Sequence, residues 1–380
     1  MYGRYRKEEL PRVIHVSVAR YHRELPQPGE ALEFLVAIHE EGTGFTWQQN
    51  VTVDSETEDF LVGATHQLHL WSLNLALTPK KAADLVRQLG ERLYDTFIGA
   101  EGDKVLSSIS PTAVLLDVDE TILNLPWELI AISGNPIIER TPFGRLVTTR
   151  ILPRSGRDPK QEDSAVRILA VANPTLDLPV TEKELTELES LEGNFNGFSV
   201  EVDVLTREMA TRERFVEMLK CSDYDILHFS GHAFLDPDAP GSSALRFADG
   251  DLTADQVMKL PLEKPPYFVF NSACESGRAM GGQRLVSNES HGNGLAAAFL
   301  ACGVYGYAGY FWPVTETGAG IFTTTFYRSL FKRENVGMAF LEARQRAIVE
   351  LQEVGDLTGY SAILYGDAAS KHRRDLATAA

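Results

Sequence analysis

Two short segments decide the fold of this chain: HFSGHA, His228–Ala233, and FNSACESG, Phe270–Gly277. Each starts as an apolar run and ends in a glycine-containing turn, the pattern of a buried strand running into a loop. His232 and Cys274 are therefore predicted at strand exits, where α/β sheets expose reactive groups. A thiol beside an imidazole has a definite chemistry: the thiolate attacks, and the histidine stabilises the ion and protonates a leaving group. Alone, Cys274 would read as a buried thiol packing like a small hydrophobe. Its setting before Glu275, Ser276 and Gly277, with the histidine motif upstream, favours catalysis.

Working outward, strands are predicted at Ala113–Val118, Val166–Ala172, Phe198–Leu205, Ile226–Ser230, Tyr267–Asn271 and Val304–Phe311. Helical patterns separate several of them. Thr181 with Glu184, and Thr253 with Gln256, have the spacing of capping boxes. Two closing helices are expected, Thr317–Lys332 and Val336–Glu353. Alternation of strand and helix predicts an α/β fold: a mostly parallel sheet flanked by helices on both faces. FSVEVDVL, Phe198–Leu205, alternates apolar and acidic positions and is placed toward an edge.

Ahead of this, Val13 to about Leu77 reads as strands, with VIHVSVA and LEFLVAI separated by polar or glycine-containing links. Pro79–Ile98 carries Ala82, Leu85, Leu89, Leu93 and Phe97 at helical spacing. The expected organisation is a small β-rich amino-terminal module over residues 1–77, a main domain over 78–368 and a polar tail over 369–380.

The chain has 380 residues and a formal charge of −17, which excludes a general phosphate-binding surface and so a nucleic-acid partner. Cys221, Cys274 and Cys302 are odd in number and widely spaced, suggesting neither a disulfide framework nor a zinc ribbon. The start MYGRYRKEEL lacks an apolar core segment and no apolar run reaches spanning length, so a cytoplasmic protein without membrane contact is expected.

Caspases carry a QAC-type cysteine with its histidine about 50 residues upstream. Here SAC replaces QAC, and the interval is slightly shorter. The pattern more closely resembles the CHAT family, caspase-like peptidases of clan CD related to separase. LPWELI (Leu125–Ile130), GLAAAFLACGV (Gly294–Val304), GYFWPV (Gly309–Val314) and LYGD (Leu364–Asp367) are also similar to that family, in its order. The resemblance implies a cysteine endopeptidase with Cys274 as nucleophile and His232 as acid/base, without metal or organic cofactor. It further implies a protein substrate, a protein activator or regulator, and regulated proteolysis in a bacterial stress or antiviral response. The backbone N–H groups of Cys274 and Ala233 are expected to form the oxyanion hole. Glu275, Asp236 and Glu316 are candidate substrate-binding carboxylates that would face a basic residue. The loop Arg278–Gly292 would shape the groove.

Other readings compete. His228 and His232 form HxxxH, but on a strand four residues span about 13 Å, too far for one metal ion. VLLDVDETIL, Val114–Leu123, resembles the DxDxT loop of haloacid-dehalogenase phosphatases, yet lacks a paired acidic motif downstream. An inactive caspase-like scaffold that binds partners would keep the same sequence pattern. Trp127 and Trp312 read as core anchors.

Overall fold

The computed structural model describes residues 12–21, 30–73, 78–109, 111–132, 134–148, 152–156, 165–195, 198–236, 239–274, 276, 285, 294–332 and 335–370. Strands, in chain order, are β1 Val13–Arg20, β2 Leu32–Glu40, β3 Thr46–Val53, β4 Ala113–Asp119, β5 Phe143–Thr148, β6 Val166–Ala172, β7 Gly193–Phe195, β8 Phe198–Thr206, β9 Ile226–Ser230, β10 Ala233–Phe234, β11 Ala244–Phe247, β12 Gly250–Thr253, β13 Phe268–Asn271, β14 Gly306–Tyr310 and β15 Ala362–Tyr365. The helices are α1 Ser55–Ser72, α2 Pro79–Phe97, α3 Gly99–Ser108, α4 Thr181–Glu189, α5 Arg212–Cys221, α6 Ala254–Met258, α7 Leu295–Ala301, α8 Glu316–Leu330, α9 Val336–Leu351 and α10 Thr358–Ser361.

Twelve strands form one sheet in the order β3-β2-β1-β4-β5-β15-β14-β13-β9-β6-β8-β7. Two parallel blocks of opposite sense form its middle, with β2 and β3 added antiparallel at one end and β7 at the other. β1, β4, β5 and β15 run one way, β14, β13, β9, β6 and β8 the other, and they meet at the antiparallel pair β15–β14. The α/β fold expected from the sequence, mostly parallel with helices on both faces, is the one found. The amino-terminal strands extend the main sheet, since β1 pairs with β4 from Val13↔Ala113 to Val18↔Val118. As expected, β8 lies near one end, with only the three-residue β7 beyond it.

Each face is covered because the strands alternate or run continuously apolar. On one face Leu185 and Leu188 of α4, Phe322 and Phe326 of α8, and Ala339 and Phe340 of α9 pack against Ile168, Ala170, Phe270 and Ala308. On the other, Leu61, Leu68, Leu89, Phe97, Phe215, Val257 and Phe299 belong to a second, larger cluster with Val16, Phe34, Leu116 and Val171.

The amino-terminal segment departs from the all-strand expectation: Ser55–Ser72 is a helix. Asp54 caps it by accepting from Thr57 N, and Leu61, Ala64 and Leu68 bury one face at spacings of three and four. Gly90 lies inside α2 because a Cβ there would meet Leu129 O at 2.1 Å, so the helix can rest directly on the LPWEL segment. That contact outweighs the roughly 1 kcal/mol that glycine costs a helix interior. Thr253 forms the expected capping box with Gln256, but Thr181 is the first residue of α4 rather than its cap.

Candidate active site

Four loops converge at the carboxyl-terminal ends of β6, β9, β13 and β14. His232 follows β9 by two residues and Cys274 follows β13 by three, and β9 and β13 are adjacent and parallel, with Ile226↔Phe268 and Phe229↔Asn271 in register. The pairing continues one step past the strands, Ser272 N donating to Phe229 O at 2.8 Å. Both residues therefore leave the sheet on the same edge and in the same direction.

His232 is held between the large sheet and the small three-stranded one. Its carbonyl accepts from Arg246 N at 2.9 Å, and Ala233 opens β10, opposite Leu245 of β11. Gly231, just before it, is packed so closely that a Cβ would come within 3.1 Å of the Phe229 ring and of Pro174. The imidazole is partly exposed, and its Nε2 lies 3.0 Å from Asp177 Oδ2, in the loop after β6.

Cys274 is exposed at the head of a turn built by buried polar groups. Asn271 Oδ1 accepts from Ala273 N at 3.2 Å, Ser276 Oγ donates to Asn271 O at 2.7 Å, and Asn271 Nδ2 and Tyr307 OH are 2.9 Å apart. Tyr307 in turn donates to Ser276 O at 2.7 Å, and Tyr310 N to Ser276 Oγ at 3.3 Å. The cysteine Sγ lies 3.8 Å from Val314 O, which brings the segment after β14 to the site.

Beneath the two exits sits a buried carboxylate that sequence reading assigned to a helix cap. Glu184 accepts from Ser230 Oγ at 3.1 Å and Ser272 Oγ at 3.3 Å, each serine two residues ahead of His232 or Cys274. His228 Nε2 is 3.3 Å from the same carboxylate, while Nδ1 lies 3.3 Å from Tyr327 OH. His228 is thus a buried, partnered residue, as its strand position implied. Burial, with Glu184 nearby, pushes the phenols of Tyr310 and Tyr327 well up.

The remaining candidates are spread around this edge. Glu316 is exposed in the first turn of α8, two residues past Val314. Asp236 serves its own loop, accepting from Ala239 N at 2.9 Å while its N–H donates to Ser243 Oγ at 3.0 Å. Glu275 lies outside the described residues, as does the loop Arg278–Gly292 apart from Leu285. Asp177 and Glu184 were missed as site residues. The run ANPTLDLP after an apolar strand was the available signal for Asp177, because loops at that sheet edge carry function.

The acidic pair of VLLDVDETIL has structural partners. Asp117 accepts from Thr148 Oγ1 at 2.6 Å, and Asp119 Oδ1 accepts from Thr121 N at 2.9 Å and Thr121 Oγ1 at 2.7 Å. Among the described residues no group of three or more His, Cys, Asp or Glu side chains is placed to hold a metal ion. Also among them, no helix is long and apolar enough to cross a membrane.

A family model, the CHAT domain, matches residues 87–366. Two crystal structures of the Saccharomyces cerevisiae separase–securin complex share the fold, with TM-scores of 0.58 and 0.54 at 11% and 12% identity. The likeness covers 94% and 93% of this chain but only 30% of the matched chain in each. No curated protein matches the sequence. The caspase-like sheet expected from the sequence is therefore borne out at the level of fold. Because the matched span runs from within α2 to the turn after β15 and encloses all four loops of the site, the chain belongs to the CHAT-domain family.

Proposed function

We propose that this protein is a cysteine endopeptidase that cuts a protein partner, with Cys274 as nucleophile and His232 as acid/base. The carrying observation is that Cys274 and His232 follow adjacent parallel strands at one edge of the sheet. In this reading the thiolate attacks the scissile carbonyl and the imidazolium protonates the leaving amine. Backbone N–H groups of Cys274 and Ala233 stabilise the oxyanion, and neither metal nor organic cofactor is required. Acidic groups on the same edge, Glu316 and Asp236, together with Glu275 next to the nucleophile in sequence, favour a basic residue beside the cut.

The matched complexes pair separase with securin, and for this chain we expect a protein partner that regulates the site. A reducing, cytoplasmic setting suits a catalytic thiol. The test is labelling with a thiol-reactive peptide electrophile: the native protein reacts, Cys274→Ala does not, and His232→Ala reacts at a small fraction of the rate. Failure to label under any activating condition would leave an inactive partner-binding scaffold. Comparing new protein amino termini in cells expressing the native chain or Cys274→Ala then identifies the substrate.

A further inference from the structure

The imidazole of His232 already has one nitrogen engaged, and the segment that engages it is built for the purpose. Asp177 and His232 are 62% and 43% exposed, and an ion pair so wet contributes little to stability. Yet the backbone that delivers Asp177 is strained: Asn173 and Leu176 have φ of 49° and 68°. For a leucine the left-handed region costs roughly 1–2 kcal/mol, a conformation that persists only where the surroundings over-determine it. Here they do. Asn173 N donates to Ser230 O at 3.0 Å, tying the turn to the strand that carries His232. Asn173 Oδ1 accepts from Leu178 N at 2.9 Å, and its Nδ2 donates to Glu182 Oε1 at 2.7 Å. Glu182 is gripped in turn by Arg207 through two 3.0 Å hydrogen bonds, and Thr175 Oγ1 donates to the Asp177 carboxylate.

We propose that Asp177 is a positioning residue that holds His232 as the Nε2–H tautomer, leaving Nδ1 to exchange protons at Cys274 and the leaving amine. The inference rests on the cysteine-peptidase reading and specifies which ring nitrogen works. In the resting ion pair both nitrogens carry protons. The Sγ thiolate adds to the scissile carbonyl, the C–N bond breaks, and the Nδ1 proton passes to the departing amine, giving a thioester and a neutral ring still bonded through Nε2–H to Asp177. Water then adds to the thioester, delivering its proton to Nδ1; the C–S bond breaks, and the thiolate–imidazolium pair returns with release of the carboxylic acid. Asp177 gains no proton at any step. It fixes the tautomer.

Two measurements test this. On a peptide spanning the mapped cleavage site, Asp177→Asn and Asp177→Ala should lose about 100-fold or more in kcat, with KM within about 3-fold, and Asp177→Glu should recover part of the loss. An unchanged kcat overturns the inference. So does a loss confined to KM and to peptides with a basic residue at the cut, which would make Asp177 a specificity determinant. Separately, 15N NMR of labelled histidine should show neutral His232 as the Nε2–H tautomer in the native chain and a mixture in Asp177→Ala. An Nδ1–H tautomer in the native chain overturns the inference while leaving the peptidase reading intact. Absence of cleavage and of Cys274 labelling, with the Nε2–H tautomer present and lost in Asp177→Ala, refutes the peptidase reading alone.

Discussion

Ser276 Oγ donates to Asn271 O across 2.7 Å, closing the turn that raises Cys274 above the end of β13. Both residues are buried, and the same hydroxyl accepts from Tyr310 N on the neighbouring strand. Ser276→Ala leaves two backbone groups short of a partner, a loss of about 1–3 kcal/mol. The turn loosens as the fold weakens, so electrophile labelling of Cys274 should slow by more than the unfolded fraction explains. Urea denaturation alongside labelling kinetics separates the two effects. Labelling at the native rate would mean the turn is held without this serine.

Glu184 joins the exits of β9 and β13 through Ser230 and Ser272. Glu184→Ala should cost on the order of 3 kcal/mol, because it strands the buried hydroxyl donors of Ser230 and Ser272. Glu184→Gln keeps an acceptor and the shape, so it should retain most of the stability. A Glu184→Ala protein as stable as the native one would show that the carboxylate does not tie the strands.

These carboxylates mark where sequence reading stops. The strands Val166–Ala172 and Ile226–Ser230 were legible to the residue because their apolar runs are bounded by polar turns. β5 and β15 were not placed. β5, FGRLVT, carries a buried arginine within its apolar run, and β15 is only four residues long. Ser55–Ser72 hid as strand because its burial stripe is sparse. The cysteine and histidine announced themselves through Gly-flanked motifs. Glu184 mimicked a capping residue, and Asp177 reaches His232 only after β6 and β9 are laid side by side, which no local pattern encodes.

The charge that obscured β5 is explained by LPWEL. Arg145 is fully buried with Glu128, which accepts from its Nε at 2.7 Å and from its Nη2, while Leu123 O and Leu125 O take further hydrogen bonds at 3.1 and 2.9 Å. Arg145→Met alone takes from the buried Glu128 the cation it hydrogen-bonds, leaving only the charge of nearby Arg344, and should destabilise by about 3–5 kcal/mol. Combining it with Glu128→Leu should restore much of that loss, because a well-packed apolar pair avoids the desolvation of two ions. Chemical denaturation of the single and double variants measures the coupling. Additive losses would show that the two side chains act separately.

The Asp177–His232 contact also has a pH signature. The Asp177 carboxyl titrates below the ordinary aspartate range, first because the Thr175 hydroxyl donates to it and then because His232 does. A group whose folded pKa is depressed contributes stability that is complete above its unfolded pKa, about 3.9 for aspartate, and is lost as pH falls through the lower folded value. The ring signals of His232, followed by NMR from about pH 5.5 downward, should therefore show an inflection below that ordinary value. Asp177→Asn should abolish the inflection. Thr175→Val should move it upward, since the larger of the two causes is gone while the histidine remains. An inflection at the ordinary aspartate value in the native chain would mean that the carboxylate and the ring do not meet in solution.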